Sequence, residues 1–285
     1  MIEHIARYDR IRDQALFVGN PDDVVAERFG PDLPAIRDWT ESHFDFAGYV
    51  TGFEPVTDRE RLRAELGYKA EEKVCIVTVG GSGVGAHLLR RVIAAFPAAK
   101  ARVPELRMIV VAGPRIDPAT LPAVDGLEVR AYVHDLYRHL AACDLAVVQG
   151  GLTTAMELTA NKRPFLCFPL RHHFEQNFHV RHRLERYRAG RPMDFEDSPP
   201  EAIAAAIAEE IGRPAPQRGR TPRGGGRGCG RRPRSRGRRA AAATPGRCAV
   251  RPRRSCAAPA PGAWRPRTRR SRAAAGGRRR PTRRR

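Results

Sequence analysis

From residue 74 onward, short and mostly apolar runs alternate with longer stretches in which apolar positions recur every three to four residues. The runs at 74–79, 108–112, 127–131, 145–148 and 165–168 predict strands. The stretches between and after them predict helices over 86–100, 136–142, 153–160, 174–188 and 200–211, the fourth one polar and the last capped by Ser198. Strands with no polar face, alternating with helices, specify an α/β fold: a doubly wound parallel sheet covered on both sides. In such a sheet ligands sit beyond the C-terminal ends of the strands. The loops that follow the apolar runs are therefore where chemistry is expected.

The first 72 residues have turn signals but little periodicity. Gly19-Asn20-Pro21-Asp22-Asp23 and Gly30-Pro31-Asp32-Leu33-Pro34 are turn clusters, flanked by short apolar pieces such as 15–18. A helix is expected over 58–66, with Thr57 as its N-cap, Glu60 completing a capping box and Gly67 as its stop. The pattern divides the chain into 1–54, the end of a preceding domain and a linker; 55–212, the regular α/β domain; and 213–285, a tail of different composition. There is no internal repeat.

Charge changes this picture in one respect. The formal net charge of +21 suggests a nucleic-acid partner. Yet 26 of the 52 basic residues are arginines in 213–285, which holds no acidic residue; the remaining 26 face 31 acidic side chains, so the body is net −5. The tail also lacks Ile, Leu, Phe, Met and Tyr. Without large apolar side chains it has nothing to offset the entropy of ordering, and it is expected to be disordered. Its Arg, Gly, Pro and Ala, all with GC-rich codons, fit a shifted reading frame better than a tail that binds RNA or associates peripherally with a membrane. Cys75, Cys143 and Cys167 lie in or beside apolar runs without a C-x-x-C neighbour, as reduced, buried cysteines do. No run is long enough to span a membrane, and the N-terminus lacks a signal-peptide pattern, so a cytoplasmic location is expected.

Three segments carry candidate chemistry. Gly80-Gly81-Ser82-Gly83-Val84-Gly85 lies between a strand and a helix, where glycines let a phosphate approach the backbone and the helix N-terminus favours its charge. From Gly81 the string satisfies the dinucleotide fingerprint, but Ala112-Gly113-Pro114-Arg115 stands where a ribose-binding acid belongs, and no Lys-Ser/Thr follows to make a P-loop. Gln149-Gly150-Gly151-Leu152-Thr153-Thr154-Ala155-Met156-Glu157 again joins a strand to a helix. Its glycines and hydroxyls can surround a diphosphate, and Glu157, one turn into the helix, can accept both hydroxyls of a ribose. The bland alternative is ordinary capping by Thr153 or Thr154 with an exposed Glu157. Third, Glu175, Gln176 and Asn177 follow the last predicted strand and suit sugar hydroxyls. His172 and His173 lack a spaced third ligand, so no metal is expected.

In order, these segments resemble glycosyltransferase family 28 and its C-terminal, donor-binding GT-B domain, over residues 45–212. The resemblance rests on the turn at 80–84, Tyr132-Val133-x-Asp135-Leu136, Ala142-Cys143-Asp144-Leu145, Gly151-x-Thr153-Thr154-x-x-Glu157, Pro164, Pro169 and Glu175-Gln176-Asn177. It implies inverting, metal-independent transfer of a hexosyl group from a UDP-sugar, with no cofactor. The implied donor contacts are Gly81, Ser82, Gly83, Gly150, Gly151, Thr153 and Thr154 at the diphosphate, the backbone at Val133 on the base, Glu157 on the ribose, and Glu175, Gln176 and Asn177 on the sugar. Gln149 departs from the His usual in the related UDP-sugar signature of plants and animals. In this family the acceptor site and general base stand on an N-terminal domain, of which only a last fragment fits before residue 55. No base is therefore assigned; a truncated gene product is the expected explanation, and a donor-binding subunit that pairs with a separate acceptor-binding subunit is the alternative. The rivals are a non-hydrolysing sugar-nucleotide epimerase, a nicotinamide-dependent oxidoreductase and a nucleic-acid-binding protein acting through its tail.

Overall fold

The first strand–helix–strand unit comes where the sequence pattern was weakest. In the computed structural model, which describes residues 2–7, 14–48, 56–81 and 83–213, a short helix α1 (Ile2–Arg7) precedes strand β1 (Leu16–Val18), helix α2 (Ile36–His43) and strand β2 (Asp45–Gly48). β1 and β2 pair in parallel, Leu16 opposite Asp45, over a small core of Val24, Val25 and Ile36 with Phe17 and Phe46 packed on it. The linker expected after β2 falls at residues 49–55, outside the described residues.

Helix α3 (Arg59–Glu65) opens the regular region. Its cap is Asp58, whose carboxylate accepts from the Arg61 N–H at 2.9 Å, rather than Thr57 with a capping box. Asp is as good a cap as Thr, and it stands one residue nearer the helix. Strands β3 (Lys73–Thr78), β4 (Leu106–Val111), β5 (Glu128–Arg130), β6 (Leu145–Val148), β7 (Phe165–Cys167) and β8 (Arg191–Pro192) form one parallel sheet in the order β5-β4-β3-β6-β7-β8. β8 has two residues and a proline, which the edge of a sheet tolerates, and it gave no sequence signal.

Successive residues of β3 feed two cores. Cys75 and Val77 pack with helices α4 (Ala86–Arg102) and α8 (Pro200–Glu210) on one face. Val74 and Ile76 pack with α3, α5 (Leu136–Ala142) and α6 (Leu152–Ala160) on the other. Cover on both faces is why the strands read as continuous apolar runs. The three cysteines of the α/β domain are free and buried. Ser198 does not cap α8: Pro199 holds that position, with no side-chain cap.

Buried charge locks the N-terminal edge of the sheet. The Asp144 carboxylate accepts from Arg59 at 2.7 Å, Arg63 at 2.9 Å and the Val74 N–H at 2.8 Å, so it ties α3 to the starts of β3 and β6. Burial pushes its carboxyl up, but the hydrogen bond from Arg59 and the backbone bond from Val74 outweigh that and hold it below the ordinary range. The early strand–helix–strand unit is tied by α7 (Arg181–Tyr187): Arg186 pairs with the wholly buried Asp23 at 2.5 Å and with Asp22 at 2.9 Å.

All described residues belong to Met1–Arg231, one of two units into which the chain divides. The other, Arg232–Arg285, lies outside them, and so does the tail expected to be disordered, 213–285, except for Arg213, which bonds to Glu210. Among the described residues no helix is long and apolar enough to cross a membrane.

Candidate functional site

The strand order places two loops side by side. β3 and β6 are neighbours, with Thr78 opposite Val148 at their C-terminal ends, yet the chain leaves β3 toward β4 and leaves β6 toward β7. This is the switch point of a doubly wound sheet, where loops diverge and leave a crevice. The glycine turn after β3 and the Gln149-Gly150-Gly151 turn after β6 line it.

Both turns feed helices that begin without a side-chain cap. α4 starts from Gly85 and α6 from Gly151, and neither residue can offer a capping oxygen. The Thr153 and Thr154 hydroxyls make no hydrogen bond among the described residues, which removes the capping explanation for them. The first amides of α6 are left as donors at the positive end of a helix dipole. Glycine is required at some of these positions for reasons of backbone alone. Gly150 has φ +83°, and a Cβ at Gly85 would lie 2.2 Å from the Cβ of Val79. Gly151 differs: its φ of −64° suits any residue, and a Cβ there would meet nothing within 4 Å.

A cleft of about 310 Å³ opens over these turns. Of the residues singled out in the sequence, Gly81, Gly151, Thr154, Glu175 and Gln176 line it; Gly83, Val133, Gly150, Thr153, Glu157 and Asn177 do not, and Ser82 lies outside the described residues. Thr153 is exposed on the first turn of α6. Glu157 is half-buried one turn further, its carboxylate has no partner among the described residues, and burial pushes its carboxyl above the ordinary glutamate range. Val133 is buried, and its backbone N–H and C=O make no hydrogen bond among the described residues.

The far wall was expected as one polar helix over 174–188. The helix is there, unbroken over 174–187, but its first part, Glu175–Val180, is a π-helix that runs directly into α7. The Asn177 amide donates to the carbonyls of Leu170, Arg171 and His173, so it braces the loop and does not face the cleft. Gln176 accepts from the Leu170 N–H at 2.8 Å through its carbonyl oxygen, which leaves its NH₂ group and one lone pair for a ligand. Sequence reasoning missed Thr78, Val79 and Val148 as lining residues, although their places at the strand ends could have pointed to them. Gln149, which opens the donor-holding segment and whose amide was expected to donate to a phosphate in place of the usual His, lines the cleft as well. Among the described residues no group of three or more His, Cys, Asp or Glu side chains is arranged to hold a metal ion.

Residues 74–218 match the model of the glycosyltransferase family 28 C-terminal domain. An uncharacterized glycosyltransferase of Methanosarcina mazei is 32% identical over 147 residues, 51% of this chain and 38% of that protein. The UDP-N-acetylglucosamine--N-acetylmuramyl-(pentapeptide) pyrophosphoryl-undecaprenol N-acetylglucosamine transferase of Alkaliphilus oremlandii is 30% identical over 123 residues, 41% of this chain and 33% of that one. The chain thus spans well under half the length of these relatives. The crystal structure of the glycosyltransferase of kitacinnamycin shares the fold, with a TM-score of 0.51 and 20% identity over 72% of this chain and 48% of its own.

Proposed function

This chain belongs to glycosyltransferase family 28, whose C-terminal domain spans its residues 74–218, and from that premise we propose that the switch-point cleft binds a UDP-sugar for hexosyl transfer. In this reading the amides of α6, the hydroxyls of Thr153 and Thr154 and the turn at Gly81, Ser82 and Gly83 surround the diphosphate. Glu157 accepts the ribose hydroxyls, and the free backbone at Val133 meets the base. Glu175 and Gln176 face the sugar from the start of the π-helix, next to the loop that Asn177 braces.

The reaction is an inverting displacement without metal or cofactor. An acceptor oxygen attacks the anomeric carbon, the bond from that carbon to the β-phosphate oxygen breaks, and the electron pair leaves with the diphosphate. The amides and dipole at the α6 N-terminus oppose the charge that develops there. The acceptor site, and the base that takes the acceptor proton, belong to a second domain or a separate subunit.

The observation that carries this reading is the α6 N-terminus: it opens on a cleft, no side chain caps it, and it is followed after one turn by an unpartnered carboxylate. Calorimetric titration of the full chain with UDP tests it. Hydrogen bonds to charged groups contribute about 1.5–3 kcal/mol, so Glu157→Ala and Thr154→Ala should each weaken UDP binding by roughly ten- to a hundredfold. Unchanged affinity in both variants would sink the assignment.

A further inference from the structure

Gln149 is 7% exposed and lines the cleft, yet its side-chain amide has no hydrogen-bond partner among the described residues. Its polar atoms retain contact with the cleft, so the partner it lacks is one that the cleft would hold.

The chemistry of the amide narrows the choice. A primary amide carries two N–H donors and one carbonyl acceptor, and both kinds of group need a partner once a ligand has displaced water. A diphosphate has acceptors only. It can serve the Gln149 NH₂ group and leaves its carbonyl orphaned, and the diphosphate is already supplied with donors by the α6 amides. A sugar hydroxyl both donates and accepts, so neighbouring hydroxyls of one sugar can serve the carbonyl and the NH₂ group together. Nearby groups complement it: Glu175, when ionised, only accepts, and Gln176, whose carbonyl already accepts from Leu170, brings two N–H donors.

We infer that Gln149 is a specificity-determining residue that reads a hydroxyl of the donor's sugar, with its carbonyl accepting from that hydroxyl, and does not act as a phosphate ligand. The inference rests on the reading of the cleft as a nucleotide-sugar site. It predicts that Gln149 distinguishes donor from product, because UDP lacks the group that Gln149 contacts.

The test uses the full chain and calorimetric titration with UDP, UDP-glucose, UDP-galactose and UDP-N-acetylglucosamine, with the unmodified protein compared with Gln149→Leu and Gln149→Met. Both variants match the glutamine closely in volume and remove its polar atoms, and thermal melting verifies that they fold. The tightest-binding UDP-sugar should lose about tenfold in affinity, 1.4 kcal/mol, while UDP stays within twofold. Loss of UDP and UDP-sugar affinity in equal proportion in a folded variant overturns the inference in favour of a phosphate contact, and so does no loss of either. If the unmodified chain binds UDP and not these sugars more tightly, sugar recognition fails while the nucleotide site stands. If it binds none of the four, the nucleotide-sugar reading fails and this inference fails with it.

Discussion

Replacing Gly151 with alanine tests the site at a place where the fold has no use for glycine. The backbone there, φ −64° and ψ 140°, is open to every residue, and the added methyl would have no neighbour within 4 Å. Two small terms act on stability. Alanine is a poorer N-cap than glycine, and it reduces the conformational freedom of the unfolded chain; each amounts to about 0.5–1 kcal/mol, with opposite signs. The variant should therefore unfold in urea within about 0.5 kcal/mol of the parent. Ligand binding should respond differently. A phosphate oxygen bonded to the first amides of α6 lies roughly 2.9 Å from their nitrogens, a distance that leaves little room for a carbon on the residue before them. Overpacking by a methyl costs about 1–3 kcal/mol, or roughly 5- to 150-fold in UDP affinity.

Two neighbouring glycines serve as controls because their reasons are conformational and steric. Gly150→Ala places a side chain at φ +83°, with its Cβ 3.0 Å from the Cys167 sulfur, and should lose about 1–2 kcal/mol of stability or more. Gly85→Ala sets its Cβ 2.2 Å from that of the buried Val79, and the two atoms can separate only if α4 moves off the sheet. That variant should lose at least about 2 kcal/mol. Calorimetry with UDP beside urea unfolding distinguishes the cases. If Gly151→Ala unfolds like the parent and still binds UDP within twofold, the glycine is not there to admit a diphosphate and the assignment of this turn is wrong.

Two further outcomes concern ionised groups. Asp144→Asn should lose about 3 kcal/mol in urea unfolding at pH 7, because Arg59 and the buried Arg63 keep their charges without the carboxylate between them; a loss below 1 kcal/mol would show the network to be dispensable. The same carboxyl titrates below its unfolded value of about 3.9, so its contribution is complete above that pH and disappears as pH falls toward the folded value. Parent stability should thus decline more steeply than that of Asp144→Asn below about pH 4. Glu157 has the opposite shift: burial raises its carboxyl, and only the ionised form accepts two ribose hydroxyls. Affinity for a UDP-sugar, whose diphosphate does not titrate in this range, should be full above that raised value and fall as pH drops through it. Glu157→Gln should bind more weakly and lack the pH dependence, and an identical profile in both proteins would remove Glu157 from the site.

The sheet was legible because parallel strands buried on both faces leave continuous apolar runs, and glycine-rich turns after two of them marked the crevice. Less was legible where structure depends on distant partners. The early strand–helix–strand unit is tied to α7 by Asp23 meeting Arg186 across 163 residues, and neither side chain signals the other in a linear reading. The helix over 174–187 was legible, but its π-helical part at Glu175–Val180 was not, nor were the carbonyls of the preceding loop to which Asn177 donates. Asp144 could be recognised in the sequence only through a resemblance, yet its role is ordinary electrostatics: two guanidinium groups and one amide converge on a carboxylate at the sheet's N-terminal edge.

These differences bear on how the site works. Residues chosen from the sequence as equals divide by what their polar atoms already do. Asn177 has given its amide to the loop and Gln176 half of its own, whereas Glu157, Thr154 and Gln149 hold theirs in reserve. A ligand that bonds to groups held in reserve gains those hydrogen bonds without breaking any that the fold already makes. On that ground the unpartnered residues should dominate donor affinity, while substitution of Asn177 should act through the geometry of the loop.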